Sequence, residues 1–125
     1  MSELILLVDD DPVIRSLGRE FLEHLQYEVE VAQNGQEALE IFRRLGQVDL
    51  VILDYCLPGR DGMQVLQDLQ ALDPEVRVLL ASGYFSSQEV AKIKGMGAKG
   101  FIYKPYRLSD LQDLIRLVLA GMTGF

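Results

Sequence analysis

Four short polar signatures each follow an apolar run in this sequence. They are Asp9-Asp10-Asp11 after Leu4 to Val8, Asp54 after Leu50 to Leu53, Ser82-Gly83 after Val76 to Ala81, and Lys104-Pro105 after Phe101 to Tyr103. If those runs end on one side of the molecule, several carboxylates share a small volume. Crowded carboxylates repel one another, and their proton affinity rises unless a cation sits among them. A hard divalent ion resolves the conflict. Magnesium suits these donors, because it keeps several waters and needs only one or two carboxylates plus a phosphate, and no His or Cys cluster is present for a softer metal. Lys104, arriving opposite the carboxylates, offers a point positive charge to Asp54 or to a phosphoryl oxygen attached to it.

Each residue also has a plainer use. Asp11 before Pro12 is placed to cap a helix, and capping accounts for it. Capping needs one residue, so it leaves Asp9 and Asp10 unexplained, and a carboxylate directly after Leu50 to Leu53 is partly desolvated. Pro105 restricts Lys104 to extended geometry, which helps hold the ammonium over the site. Ser82 brings a hydroxyl donor and Gly83 admits close backbone approach to an anion, although Ser-Gly is equally an ordinary turn. His24, among Glu20 and Glu23, reads as a solvated side chain without a catalytic role.

The elements that must position these groups are legible in the hydrophobic pattern. Strands are predicted at Leu4 to Val8, Val29 to Ala32, Leu50 to Leu53, Val76 to Ala81 and Phe101 to Tyr103. All but the second are nearly continuous in hydrophobicity, as strands covered on both faces of a parallel sheet require; the second reads as an edge. Between them, Ile14, Leu17, Gly18, Phe21 and Leu25 fall at helical spacing, Ala38, Leu39 and Phe42 mark a second helix after Asn34-Gly35, and Val65, Leu66, Leu69 and Leu72 a third that stops before Pro74. Ser87 to Met96 predicts a weaker fourth helix ended by Gly95 and Gly97, and Leu111, Leu114, Ile115 and Val118 predict a fifth. Right-handed crossovers place helices on both sides of the sheet, with chemistry beyond the carboxyl ends of the strands.

The bulk properties narrow the class. At 125 residues with 49% apolar side chains, one domain over 1–125 is expected, with Gly121 to Phe125 as a frayed tail or truncated junction. A formal net charge of -7 argues against direct nucleic-acid binding. A lone cysteine, Cys56, forms no internal disulfide, the start lacks a secretion signal, and no apolar run approaches the roughly 18 residues of a membrane span. A soluble, cytoplasmic protein with no membrane partner is expected.

With those residues in place, the sequence resembles the response-regulator receiver family over essentially its whole length. The resemblance is carried by Leu7-Val8-Asp9-Asp10-Asp11-Pro12, the run from Asp49 through Asp54 to Pro58-Gly59-Arg60-Asp61-Gly62, Leu79-Leu80-Ala81-Ser82-Gly83-Tyr84, and Gly97 through Lys104-Pro105-Tyr106. It implies an α/β, flavodoxin-like (βα)5 three-layer sandwich with a five-stranded parallel sheet in the order 2-1-3-4-5. It implies a signalling switch and not a conventional enzyme: Asp54 takes a phosphoryl group, Asp9, Asp10 and Asp54 with the backbone carbonyl of Cys56 hold Mg2+, and Lys104 contacts the phosphoryl oxygen. Ser82 then moves to bond another such oxygen, and Phe101 turns inward behind it, although Phe101 is equally explained as core. The implied phosphoryl donor is a sensor histidine kinase or a histidine phosphotransfer protein, the downstream protein target is unspecified, and slow self-dephosphorylation proceeds along a path flanked by Cys56 and Tyr84. The readout surface is the fourth helix, fifth strand and fifth helix, where Leu117 and Leu119 read either as a partner or homodimer contact or as ordinary exposed leucines.

Three positions depart from the family pattern: Cys56, Ser82 where Thr is commoner, and Arg107 where Ser or Thr often caps the last helix. Nearby carboxylates disfavour a thiolate at Cys56, so an inert thiol is expected. A receiver standing alone or cut from a longer regulator or hybrid sensor kinase fits the chain equally. Two other classes fit the residues less well. A haloacid-dehalogenase-type phosphatase expects a second acid at the position of Cys56, and a flavodoxin-like cofactor carrier needs a hydroxyl-rich or glycine-rich phosphate loop where Asp9-Asp10-Asp11 would repel phosphate.

Overall fold

The computed structural model describes residues 2–125. Strands and helices alternate as β1 (Leu4–Val8), α1 (Pro12–His24), β2 (Glu28–Ala32), α2 (Gly35–Leu45), β3 (Leu50–Asp54), α3 (Gly62–Leu72), β4 (Val78–Ser82), α4 (Ser87–Gly95), β5 (Gly100–Tyr103) and α5 (Leu108–Leu119). All five strands are parallel and run in the order β2-β1-β3-β4-β5, the expected flavodoxin-like topology. Between β3 and α3, Cys56–Leu57 pairs antiparallel with Arg60–Asp61, closing a minimal hairpin around Pro58-Gly59. Gly59 has φ 76°, a conformation that favours glycine.

Alternation along each strand separates two cores. Leu6, Val8, Val51, Leu53, Val78 and Leu80 face one side with Leu39, Leu66 and Ile93 from α2, α3 and α4. Ile5, Leu7, Ile52 and Leu79 face the other, with Leu22 of α1 and Ile115 of α5. Each such side chain contributes roughly 1.5–3 kcal/mol on burial, which is why near-continuous apolar runs commit to the centre of the sheet.

The helix starts follow local chemistry. Asp11 caps α1, accepting from the amides of Val13 (2.9 Å) and Ile14 (3.3 Å), with Pro12 in the first turn as predicted. Asn34 and Asp61 cap α2 and α3 through the amides of Glu37 and Gln64. The fourth helix is better anchored than its weak periodicity suggests, because Ser86 and Glu89 form a reciprocal capping box. Arg107 makes no side-chain capping bond to α5.

Three details differ from the sequence reading. Strand β4 begins at Val78 and not Val76, because the Val76 amide closes a turn onto the Asp73 carbonyl. Strand β5, an edge in the expected order, is not covered on both faces as its continuous apolar run suggests; Tyr103 is exposed and Phe101 only half-buried. Its apolar character instead serves aromatic contacts, Phe101 with Phe85 at 5.3 Å and with Tyr103 at 5.6 Å between ring centroids. The tail from Gly121, expected as a frayed end or a truncated junction, makes backbone contacts with the sheet. The Gly124 amide donates to the Lys99 carbonyl at 2.7 Å, and Gly124 bridges Gly100 in parallel register.

Candidate functional site

Asp9 directly follows β1, Asp54 ends β3 and Lys104 directly follows β5, so parallel strands finishing at one level bring the three together. Ligating oxygens of Asp9, Asp10 and Asp54 all lie within 4.8 Å of one another. Asp9 is wholly buried and Asp54 nearly so, while Asp10 is exposed. The ammonium of Lys104 spans the two buried carboxylates, 3.1 Å from Asp9 Oδ2 and 3.0 Å from Asp54 Oδ2.

Backbone donors hold the carboxylates in place. The Asp11 amide donates to Asp9 Oδ1 at 2.9 Å, and the Cys56 amide donates to Asp54 Oδ1 at 3.1 Å, which also keeps the Cys56 backbone beside the acidic group. Helix α3 closes tightly behind them: the Gly62 amide donates to the Tyr55 carbonyl at 2.7 Å, and a Cβ at Gly62 would lie 2.6 Å from the Asp54 carbonyl oxygen.

One ammonium does not neutralise three carboxylates. Burial pushes Asp54 up to about 6; hydrogen bonds from Lys104 and the Cys56 amide work against that shift, and the charge of Asp9 adds to it. For Lys104 burial favours the neutral amine, but the hydrogen bond and charge of Asp54 and those of Asp9 outweigh it, and its proton is held more tightly than usual. A buried acidic group whose proton affinity stays raised beside a lysine fits a site built for a further cation. An oxygen-only donor set of this kind selects a hard divalent ion.

Ser82 lies on the same edge but outside this network. Its hydroxyl donates to the Tyr84 carbonyl at 3.0 Å and accepts from the Tyr84 amide at 3.4 Å. Its backbone is tied to the lysine, since the Lys104 amide donates to the Ser82 carbonyl at 2.8 Å. The Lys104-Pro105 bond is cis. Phe101 packs against the α2-α3-α4 core and Phe85. Leu119 packs into the α1-α5 core, which explains it without a partner, whereas Leu117 lines an open groove of about 450 Å³ with Phe101, Tyr103, Asp110, Asp113 and Leu114.

Two residues escaped the sequence reading. Arg15, one turn into α1, donates from Nη1 to the Asp9 carbonyl at 2.8 Å and steadies the β1 end; a bond to a backbone carbonyl six residues back leaves no signal in residue type or helical spacing. Tyr106 is 97% buried by its relative exposure of 3%, and its hydroxyl has no partner among the described residues. Burial, with the charges of Asp9 and Asp54, pushes its phenol far above the ordinary range. Its ring rests on Gly18, where a Cβ would come within 3.0 Å of it.

A doubly wound parallel sheet that gathers buried carboxylates and a lysine at the carboxyl ends of its strands defines a receiver-type α/β domain. The receiver-domain family model, described as response regulator receiver domain, matches residues 5–116, and the chain belongs to that family. It is similar to sporulation initiation phosphotransferase F of Bacillus subtilis, 33% identical over 119 residues covering 95% of each chain. It is also similar to a segment of the sensor kinase CckA of Brucella abortus, 33% identical over 94% of this chain and 13% of that protein. Among solved structures, a LuxR-family two-component response regulator from Aurantimonas superposes with a TM-score of 0.91 at 28% identity, covering 100% of this chain and 90% of that one. Receiver domains are signalling switches of two-component phosphorelays, phosphorylated by histidine kinases or phosphotransfer proteins. No helix among the described residues is long and apolar enough to cross a membrane.

Proposed function

We propose that this chain is a magnesium-dependent phosphoacceptor in which Asp54 receives a phosphoryl group from a phosphohistidine on a sensor kinase or phosphotransfer protein. The observation that carries the reading is the Lys104 ammonium held between Asp9 and Asp54 in a cluster of three carboxylates. Asp9, Asp10, Asp54 and the backbone carbonyl of Cys56 are the groups that would hold the ion. When bound, magnesium would offset the negative charge shared by carboxylates and phosphoryl oxygens.

The residues of the chain supply the rest. The Cys56 amide fixes one oxygen of Asp54 and Lys104 pairs with the other, so the nucleophile is oriented before the donor arrives. A bond forms between an Asp54 oxygen and phosphorus as the P–N bond of the phosphohistidine breaks, and the leaving imidazole takes up a proton. Lys104 follows the charge onto a phosphoryl oxygen, and Ser82, at the end of the adjacent strand, exchanges its bond to Tyr84 for one to another. Water entering the same site later returns the carboxylate, past Cys56 and Tyr84. Phe101 and the α4-β5-α5 face transmit the change to a downstream protein or to a second copy of the chain, in the cytoplasm.

Intact mass after exposure to acetyl phosphate with and without magnesium tests this. One phosphoryl mass should appear only with magnesium and be absent from Asp54→Asn; its persistence in that variant would refute Asp54 as acceptor.

A further inference from the structure

Past α5 the chain returns along the open edge of the sheet. The Met122 amide donates to the Leu117 carbonyl at 3.1 Å, and the Gly124 amide then donates to Lys99 at 2.7 Å as Gly124 bridges Gly100. Glycine at both bridge positions lets the strands approach closely: a Cβ on Gly100 would lie 3.0 Å from the Gly124 carbonyl oxygen, and one on Gly124 would press on the Leu114 side chain. Phe125 comes to rest against Phe101, ring centroids 6.1 Å apart, with the Lys94 ammonium 5.7 Å from its own centroid. An edge strand is a template for pairing with other chains, and here the start of that edge is taken by the chain's own segment.

The same series of rings leads back to the carboxylates. Phe101 meets Phe85 at 5.3 Å, Phe85 meets Tyr55 at 5.5 Å, and Tyr55 adjoins Asp54. Phe85 is buried and follows the Tyr84 carbonyl that the Ser82 hydroxyl holds. A hydroxyl drawn toward an anion on Asp54 must leave that carbonyl, which releases the loop carrying Phe85. Packed rings shift together, because a gap between them forfeits contact on both sides.

We propose that Met122–Phe125 is an intramolecular strap on the β5 edge, coupled to Asp54 through Phe85 and Phe101, whose docked form favours the unphosphorylated site. This rests on Asp54 as acceptor and on Ser82 turning toward it. Strap and phosphoryl group then oppose each other, and by linkage each weakens the other by the same factor.

The test follows amide exchange at Gly124 and intact mass in parallel, on the full chain with magnesium, with and without acetyl phosphate. Phosphorylation should speed Gly124 exchange about fivefold or more. Phe125→Ala and Gly124→Val should both raise the phosphorylated fraction at subsaturating acetyl phosphate; Phe125 is partly exposed, so its truncation leaves the core intact. Unchanged exchange at Gly124 in protein that has gained the phosphoryl mass, or variants with the wild-type fraction, would overturn the strap and leave the acceptor standing. Absence of added mass, or its persistence in Asp54→Asn, would overturn the acceptor and the coupling with it.

Discussion

At the scale of single residues, Asp54 is held where its charge is least comfortable. Its folded-state affinity for a proton, near pH 6, exceeds the ordinary value of 3.8, so the folded chain binds the proton more tightly than the unfolded chain does. Stability of the metal-free protein therefore falls as pH rises from about 4 to about 6, then levels off, by on the order of 2 kcal/mol from this group. Asp54→Asn should erase that slope and stabilise the metal-free protein near neutrality. Urea midpoints measured between pH 4 and 8 check it, and parallel profiles for the two proteins would contradict it. Tyr106 gives a second case. Its hydroxyl is buried without a partner, so Tyr106→Phe removes an unrewarded polar group and should leave stability unchanged or raise it by about 1 kcal/mol. A clear loss in thermal denaturation would mean that the hydroxyl is bonded in solution.

At the scale of elements, the site depends on how closely α3 meets the end of β3. Gly62 sits 2.6 to 3.0 Å, measured from where a Cβ would stand, from backbone atoms of Asp54 and Tyr55, which cannot step aside as a flexible side chain would. Gly62→Ala should cost about 2–3 kcal/mol and displace the Asp54 carboxylate, weakening magnesium binding as well as folding. Chemical denaturation with a magnesium titration reads both, and wild-type values for both would contradict the packing argument. This constraint was invisible in the sequence, because the backbone that Gly62 meets is placed there only by the fold. The cap at Asp11 and the stop before Pro74, by contrast, were legible, because each is decided by residues within a few positions of it.

At the scale of the whole molecule, the face formed by α4, β5 and α5 keeps Leu117 in a groove rimmed by Asp110 and Asp113. If a second copy binds there, Leu117→Glu should abolish self-association, seen as later elution in size-exclusion chromatography; an unchanged elution volume would dismiss the homodimer. The same face shows where sequence reading reaches its limit. Leu117 and Leu119 look equivalent on a helical stripe, yet Leu119 packs against the core and Leu117 does not, since helix periodicity gives a face but not the depth to which a neighbouring strand covers it. Likewise, nothing local announces that Gly124 pairs with Gly100, because the partners are distant in the chain and the signal is only the absence of side chains.

By itself the sequence determined the five strand-helix units, the Asp11 cap and the strand-end positions of Asp9, Asp54, Ser82 and Lys104, because hydrophobic period and turn chemistry act over a few residues. Only the tertiary structure decided that the ammonium bridges both buried carboxylates, that Ser82 turns to Tyr84, that the Tyr106 hydroxyl is buried without a partner and that the tail covers the start of the β5 edge. Those outcomes depend on which strands lie side by side and how deeply each group is taken out of water, and both emerge when the layers pack.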